Sequence, residues 1–236
     1  MKRMFMSVMM WGNLARFCAA FLLLSATATA KDFALSKDGA ALVPIVVPDS
    51  PTRAEEYAAR ELKEHLDKIT GGSFEIAKFS AADKSKPAVY VGDTPKARSL
   101  FGDPEKFEFD AIKIKTAPDA IAIVGHKKRG TIFAVETFLE ETLGVRWWTA
   151  GESRIPHSQT LSVPEQNTDY APALKHRVLD YIPAWQAPRF TARCRAGSLI
   201  FDDKVLQRQV NNGFAIGYHS AYNILPPAKY FDKHPE

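Results

Sequence analysis

The stretch FDAIKIKTAPDAIAIVGH, residues 109–126, decides the fold class of this chain. It contains two short runs in which isoleucine recurs at every second position, a period that is typical of a half-buried β-strand. Pro118-Asp119 between the runs predicts a turn. We therefore predict a β-hairpin with one face turned to the core. The isoleucines on that face are Ile112 and Ile114 in the first strand and Ile121 and Ile123 in the second.

Directly after the hairpin, KKRGTIFAVETFLEETLG (127–144) predicts a helix. Its apolar side chains recur at helical spacing, and Gly144 is a typical helix end. Glu136 projects close to this apolar stripe. We expect it at the boundary of the stripe, with a solvated carboxylate; the alternative is a buried acid with a partner. The stripe consists of Ile132, Val135, Leu139 and Leu143.

A second long helix is predicted upstream, where Thr52 and Glu55 have the spacing of a capping box. Gly71 follows the last periodic residue and predicts the helix end. His65 falls on the apolar face, where we expect a packed histidine and not a metal ligand. That face consists of Ala54, Ala58, Leu62 and Ile69, flanked by Tyr57 and Leu66.

Further short apolar runs predict strands between and beside these helices. Strands that alternate with helices indicate an α/β domain with a mixed β-sheet. We expect the helices to pack on the sheet, with the long ones covering one face. The additional strands are predicted at 41–48, 73–79, 88–93 and 145–149.

Residues 1–30 predict a secretory signal peptide. The start is basic, and the apolar run in FCAAFLLLSATATA closes on Ala28-Thr29-Ala30, a small-residue cleavage site. The run is shorter than the ~20 apolar residues of a membrane span. We expect a secreted, periplasmic or cell-envelope protein that begins near Lys31 and has no membrane contact beyond the signal peptide. An uncleaved N-terminal anchor is the alternative.

Charge and cysteine content narrow the function classes. The whole chain has 31 basic and 27 acidic side chains. Residues 1–30 hold three of the basic ones, which leaves 28 against 27. A nearly neutral chain lacks the electrostatic footprint of a nucleic-acid partner, so none is expected. Only Cys194 lies beyond the signal peptide, so no internal disulfide is possible there.

The stretch PHSQTLSVPEQNTDYAP (156–172) is polar and punctuated by proline. Such composition predicts a loop or linker. We predict that the α/β domain occupies residues 31–165 and that residues 166–173 form a linker. LKHRVLDYIPAW (174–185) then predicts a new strand, the start of a second region at 174–236.

Common chemical signatures are missing from the sequence, including Gly-rich phosphate loops, paired-cysteine motifs and Gly-x-Ser-x-Gly. The six histidines are scattered, so neither a metal site nor a cofactor is predicted. The run at 127–130, Lys-Lys-Arg-Gly, precedes a helix, where backbone N–H groups can bind an anion. We expect a solvated basic turn instead. Asp202-Asp203 is interpreted as a turn, because adjacent side chains in a strand point to opposite sides.

Four stretches together resemble a group of large secreted bacterial proteins. These are AARELKEHLDKITGG, AVYVGD, GHKKRGTIFAVETFLEETLGVRWW and ILPPAKYFDKHPE. Proteins of that group carry an N-terminal domain similar to that of α-glucuronidases of glycoside hydrolase family 67, followed by a large, poorly characterised domain. The closest matches are Arg-Gly-Thr before the helix that follows the hairpin, Phe-Leu-Glu inside that helix and Gly-Val-Arg-Trp after it. The resemblance covers nearly all of the chain after residue 30 and is more specific to family than to activity.

The resemblance implies an α/β unit similar to the one that precedes the barrel of β-hexosaminidases, followed by a (β/α)8 barrel with the catalytic carboxylates. In such relatives the Tyr-Phe-x-x-His-Pro-Glu run, here 230–236, lies early in the second domain. We therefore expect this chain to be the N-terminal part of a longer protein. Residues 174–236 would be the first part of a truncated barrel-like domain and its least stable region, because an incomplete barrel leaves strand edges unpaired.

No catalytic residue is assigned, because glycoside hydrolysis needs two positioned carboxyl groups and the resemblance places them downstream. Barrel active sites lie at the C-terminal ends of the strands, where this chain offers groups that fit a sugar. Arg177 would meet a uronic carboxylate in a bidentate contact. The alternative for each group is packing at the base of the barrel. The candidate substrate-binding residues are Arg177, Asp180, Trp185, His219, Tyr222 and Asn223.

Two functional hypotheses follow. The first is an accessory N-terminal domain of a secreted glycoside hydrolase that acts on a polysaccharide or oligosaccharide. The second is a non-catalytic carbohydrate-binding or cell-surface module.

Overall fold

A computed structural model describes residues 32–127, 129–174, 177, 179, 187–196 and 229. None of the helices in these ranges is long and apolar enough to cross a membrane. The strands are β1 (Phe33–Lys37), β2 (Ala40–Ala41), β3 (Ile45–Val47), β4 (Ile76–Lys78), β5 (Ala88–Val91), β6 (Ile112–Ala117), β7 (Ala120–Gly125), β8 (Arg146–Trp147), β9 (Ser153–Arg154), β10 (Leu161–Val163) and β11 (Asn167–Tyr170). The helices are α1 (Arg53–Thr70), α2 (Pro95–Phe101), α3 (Gly130–Thr137) and α4 (Pro188–Arg193).

The central feature is a six-stranded mixed sheet in the order β11-β6-β7-β5-β3-β4. Strands β7, β5, β3 and β4 run parallel to one another, whereas β6 pairs antiparallel with both β7 and β11. The predicted fold class, a mixed sheet with packed helices, is confirmed. The predicted hairpin is also confirmed, because β6 and β7 pair from Ala117↔Ala120 to Ile112↔Gly125.

Period-two alternation assigns the strand residues to two faces of this sheet. On one face, the predicted isoleucines of the hairpin join a core with the apolar side chains of α1 and α3. On the other face, Ala122 and Val124 pack against Ala97 of α2 and the partly buried Phe101 and Phe107. The long helices therefore cover one face, as expected, and the short helix α2 covers part of the other.

Helix α1 begins and ends where the sequence predicts. The Thr52 side chain accepts from the Glu55 amide, and the Glu55 carboxylate accepts from the Thr52 amide, which completes a capping box. At the other end Gly71 adopts φ 76°, and its N–H donates to the Asp67 carbonyl at 2.8 Å. A left-handed residue of this kind favours glycine. His65 is buried, as predicted, and its Nδ1 lies 2.8 Å from the Glu61 carbonyl.

Helix α3 is buried along its whole length. It lies so close to the end of β7 that a Cβ added at Gly125 would lie far inside van der Waals contact of the Gly130 carbonyl carbon. The helix then widens into a π-helical turn at Phe138–Thr142 before Gly144 ends it with φ 75°. Two small sheets complete the described part, β10-β1-β2 and the pair β8-β9.

Three expectations about individual segments differ from the structure. Residues 167–170, predicted as part of a linker, form β11 and pair with β6 through Asn167↔Lys115 to Tyr170↔Ile112. The polar composition reflects an edge strand, most of whose side chains are exposed or half-buried. Arg129 is buried and not part of a solvated turn.

Glu136 is also different from the expectation, since its side chain is 0% exposed. The prediction of a solvated boundary carboxylate was wrong because segment 187–196 and α1 cover the polar side of α3, which a single-helix pattern does not show.

Some predictions fall outside the described residues. These are the signal peptide at 1–30, most of the barrel-like region at 174–236, and the turn at Asp202-Asp203.

Candidate functional site

One buried acid near the edge of the sheet is Asp110, whose side chain is 0% exposed. Two oxygens of its carboxylate accept from Arg129: Nε donates to Oδ1 at 2.7 Å and Nη2 to Oδ2 at 2.6 Å. Arg177 Nη2 donates to the same Oδ2 at 2.8 Å. We name these three residues the Asp110 cluster. A bidentate arginine–carboxylate pair of this kind has both strength and a fixed geometry.

Local sequence explains how the Asp110 cluster forms. Asp110 takes φ 60° in the turn before β6, a left-handed conformation that aspartate tolerates better than most residues. Arg129 immediately precedes α3. Both guanidinium groups stack on Phe133, with the Arg129 carbon 5.1 Å and the Arg177 carbon 5.5 Å from the ring centroid. The ring thus holds two cations over an apolar face.

A small cavity of about 140 Å³ lies beside the Asp110 cluster. Arg177 is committed to protein groups here: besides Asp110, its Nη1 donates to the Leu174 carbonyl at 2.7 Å and its Nε to the Arg195 carbonyl at 3.0 Å. Burial raises the pKa of the Cys194 thiol, so this group is protonated at neutral pH. The lining side chains are Asp110, Ile112, Phe133, Tyr170, Pro172, Arg177, Cys194 and Arg195.

A second buried carboxylate, Glu61 of α1, is 2% exposed and binds two arginines of α4. Arg189 Nε donates to Oε2 at 2.8 Å, and Arg193 donates to Oε1 from Nε at 2.9 Å and from Nη2 at 2.7 Å. We name these residues the Glu61 cluster. Arg193 also lies over the Trp147 ring, 5.3 Å from its centroid. The cluster therefore fixes α4 against α1 through ion pairs to a buried carboxylate, in which Arg193 is 13% and Arg189 42% exposed.

Three ionisable neighbours of the Glu61 cluster have shifted pKa values. Burial, followed by the charge of Glu61, raises the pKa of Glu136 well above the ordinary value for glutamate. Burial, with the charges of Glu61 and Glu136, also raises the pKa of Tyr57. Burial lowers the pKa of His65, against the hydrogen bond to the Glu61 backbone. For all three groups burial favours the neutral form.

A larger crevice of about 390 Å³ lies at the carboxyl ends of the parallel strands. Strand β3 has β4 on one side and β5 on the other, so the chain reverses direction across the sheet there. Crevices at such a switch point are common ligand sites in α/β proteins. Here Glu55 occupies it: its Oε1 accepts from the Asp93 amide at 2.6 Å and its Oε2 from the Thr52 amide at 2.8 Å.

Asp93 lines the same crevice and is held by Arg98, which donates to both of its oxygens at 2.6 Å. Both acids of the crevice are thus committed to structural contacts. The described ranges contain no group of three metal-ligating side chains.

Among the sequence-predicted site residues, the structure describes Arg177 and places it in the Asp110 cluster. Its role toward a uronic carboxylate stays a prediction. The others, which are Asp180, Trp185, His219, Tyr222 and Asn223, lie outside the described residues.

Sequence reasoning missed the acids that organise both clusters. Glu61 precedes His65 by four positions and therefore lies on the same buried face of α1, a signal that was present in the helical spacing. Asp110 had a weaker signal, because nothing in the spacing indicates that an acid in a turn will meet arginines 19 and 67 residues away.

No family model matches this chain, and no curated protein matches it. Solved structures that are similar to it include glycoside hydrolases. A GH20 exo-β-N-acetylglucosaminidase from Vibrio harveyi is 15% identical, with a TM-score of 0.44, over 72% of this chain and 23% of that one. A β-hexosaminidase from Streptomyces plicatus is 14% identical, with a TM-score of 0.40, over 63% of this chain and 25% of that one.

A further similar structure is a family GH115 4-O-methyl-α-glucuronidase with specificity for decorated arabinogalactans. It is 13% identical, with a TM-score of 0.45, over 62% of this chain and 19% of that one. The match therefore spans a quarter or less of the length of these enzymes.

Proposed function

We propose that this chain supplies an N-terminal accessory α/β domain of a secreted carbohydrate-active protein, an α-glucuronidase-like glycoside hydrolase whose catalytic carboxylates lie outside it. The observation that supports the accessory role is the use of its buried acids. Asp110 and Glu61 both bind arginines from beyond residue 174, namely Arg177, Arg189 and Arg193.

Ion pairs of this depth strongly constrain a structure. Removing one partner of a buried pair leaves an uncompensated charge, which typically costs about 3–5 kcal/mol. A domain that directs two such clusters at the following segment is built to hold that segment in one position. This fits a supporting domain that orients its neighbour.

The crevice at the switch point also supports a non-catalytic role for this region. Hydrolysis of a glycosidic bond needs a pair of carboxyl groups free to act on substrate. Glu55 and Asp93, the acids in the crevice, instead cap α1 and bind Arg98. The carbohydrate part of the proposal is supported by the motif resemblance of residues 58–72, 88–93, 125–148 and 224–236.

The alternative, a carbohydrate-binding module, is favoured by one observation. A cavity of about 410 Å³ opens beside α2 and is lined by the rings of Phe101 and Phe107 together with Lys106, Lys113 and Asp169. Aromatic rings flanked by hydrogen-bonding side chains have the composition of a sugar-binding surface.

Hydrolysis assays test the accessory role directly. We expect purified residues 31–236 to release no product from aryl glucuronides or xylo-oligosaccharides, because the two acids of the crevice are held in structural contacts and the motif resemblance places the catalytic pair downstream. Turnover that a single Asp or Glu substitution abolishes would show that the catalytic pair lies within this chain and would overturn the proposal.

Calorimetric titration with the same oligosaccharides separates the two functions. Under the accessory proposal we expect no saturable binding to residues 31–236. Binding that Phe107→Ala removes, and that Phe79→Ala on another part of the same sheet face leaves intact, would favour the binding module.

A further inference from the structure

A buried acid without a hydrogen-bond partner among the described residues lies where segment 187–196 packs on helices α1 and α3. Glu136 of α3 is 0% exposed, and neither of its carboxylate oxygens has a hydrogen-bond partner among the described residues. A carboxylate anion in such a place would lose its hydration without compensation. The protonated acid is the form that burial favours.

The charges around Glu136 are already matched without it. Arg189 and Arg193 bind Glu61, Arg189 also binds Glu64, and Arg195 Nη2 lies 2.6 Å from Glu140 Oε2. Three arginines therefore face three other carboxylates. An ionised Glu136 would be a fourth negative charge in this set.

We propose that segment 187–196 is held on helices α1 and α3 by a proton-dependent contact, in which Glu136 carries a proton while the segment is docked and ionises when the segment leaves. This inference rests on the supporting role proposed above and specifies how that role responds to pH. Departure of the segment exposes Glu136 to water, where its carboxyl group titrates as an ordinary glutamate. Protons therefore bind more tightly to the docked state, and docking weakens as pH rises.

The direction follows from linkage. Glu136 has a raised pKa in the docked state, so its contribution to docking is complete below the ordinary glutamate pKa of 4.5 and is lost as pH rises through the docked value. Within that window the undocked fraction grows by up to about tenfold per pH unit.

Other groups that face Glu136 titrate elsewhere or stay charged. Tyr57 and Cys194 have raised pKa values and remain neutral through the neutral range. His65, which touches the Glu61 cluster, has a lowered pKa and changes charge only on the acidic side. The remaining charged neighbours are Glu61, Arg189, Arg193 and Arg195.

Hydrogen exchange of the 236-residue chain, corrected for the intrinsic pH dependence of amide exchange, tests this contact. We expect protection of residues 187–196 to fall by up to about tenfold per pH unit as pH rises from the ordinary glutamate pKa of 4.5 toward the docked value, while protection of β7 stays constant. In Glu136→Gln, which has the same shape and cannot ionise, the pH dependence at 187–196 should disappear. Equal pH dependence in both proteins would overturn the inference.

Glu64→Gln is the matched control. Partial burial raises the pKa of Glu64, but hydrogen bonds from Lys68 and Arg189 lower it by more, to about 2. This carboxylate is therefore charged throughout the experiment. Its loss should lower protection of 187–196 equally at every pH. A change in pH dependence in this variant would also overturn the assignment to Glu136.

Two further measurements separate the inference from the supporting role. Glu61→Gln tests the supporting role itself, since unchanged protection of 187–196 in that variant would refute it whatever Glu136 does. If Glu136→Gln does not fold, the infrared carbonyl band of a protonated carboxylic acid decides the question in the unmodified chain. We expect that band to persist above the ordinary glutamate pKa of 4.5, and its disappearance at that pKa would overturn the inference.

Discussion

At the scale of single residues, two charged side chains that the sequence predicts at the surface are buried in the structure. Arg129 belongs to a run of basic residues, and Glu136 interrupts an apolar stripe, so both patterns favour solvated side chains. Both side chains are buried because another segment of the same chain covers them. The burial of a charge depends on contacts between distant segments, and a periodic pattern reports only on one helix or strand.

Asp110→Asn tests how much the Asp110 cluster contributes to stability. Asparagine keeps the shape and tolerates the left-handed backbone at φ 60°, but leaves Arg129 and Arg177 facing a neutral amide. We expect a loss of about 3–5 kcal/mol, which corresponds to a fall in melting temperature of roughly 10 °C for a chain of this size. Thermal unfolding by circular dichroism measures it.

Asp119→Asn is the control for that change. Asp119 pairs with Lys96 at 2.7 Å but is 64% exposed, and exposed pairs contribute at most about 1 kcal/mol. If the two substitutions lower the melting temperature equally, the buried cluster has no special role in stability.

At the scale of helices and strands, most of the fold follows from local signals. The caps of α1 and the β6–β7 hairpin are specified by residues next to one another in the chain, and both appear as predicted. Strand β11 was missed because an edge strand is defined by its neighbour β6 and not by its own polar sequence. The π-helical turn at Phe138–Thr142 likewise has no spacing signal that distinguishes it from an ordinary helix.

The contact between the end of β7 and the start of α3 gives the sharpest prediction at this scale. A Cβ at Gly125 would overlap the backbone of Gly130, which belongs to a rigid helix and cannot rotate away. We expect Gly125→Ala to separate α3 from the sheet, with a loss of more than about 3 kcal/mol or failure to fold.

Gly151→Ala provides the comparison, because no atom lies within 4 Å of an added Cβ there. It should change stability by less than about 0.5 kcal/mol. Urea unfolding of the two variants separates the cases, and a near-native midpoint for Gly125→Ala would mean that the close approach is not required.

At the scale of the whole molecule, the structure moves the expected end of the stable α/β unit to a later residue. Sequence composition predicts a domain at 31–165, and that boundary stays a prediction. However, β11 covers the outer edge of β6 through four paired residues, and Lys113 binds Asp169 across the two strands. The sheet is therefore complete only when residues 167–170 are included.

Two fragments, residues 31–165 and 31–174, test this boundary. We expect both to unfold cooperatively, because the core formed by α1, α3 and the central strands lies within 31–165. The longer fragment should be more stable by about 2–4 kcal/mol, since several backbone hydrogen bonds along β11 contribute about 0.5–1.5 kcal/mol each. Denaturant unfolding measures the difference. Equal stability of the two fragments would show that β11 adds nothing to the sheet. A non-cooperative transition in 31–165 alone would place the domain boundary after Tyr170, because the exposed edge of β6 would then prevent the shorter fragment from folding.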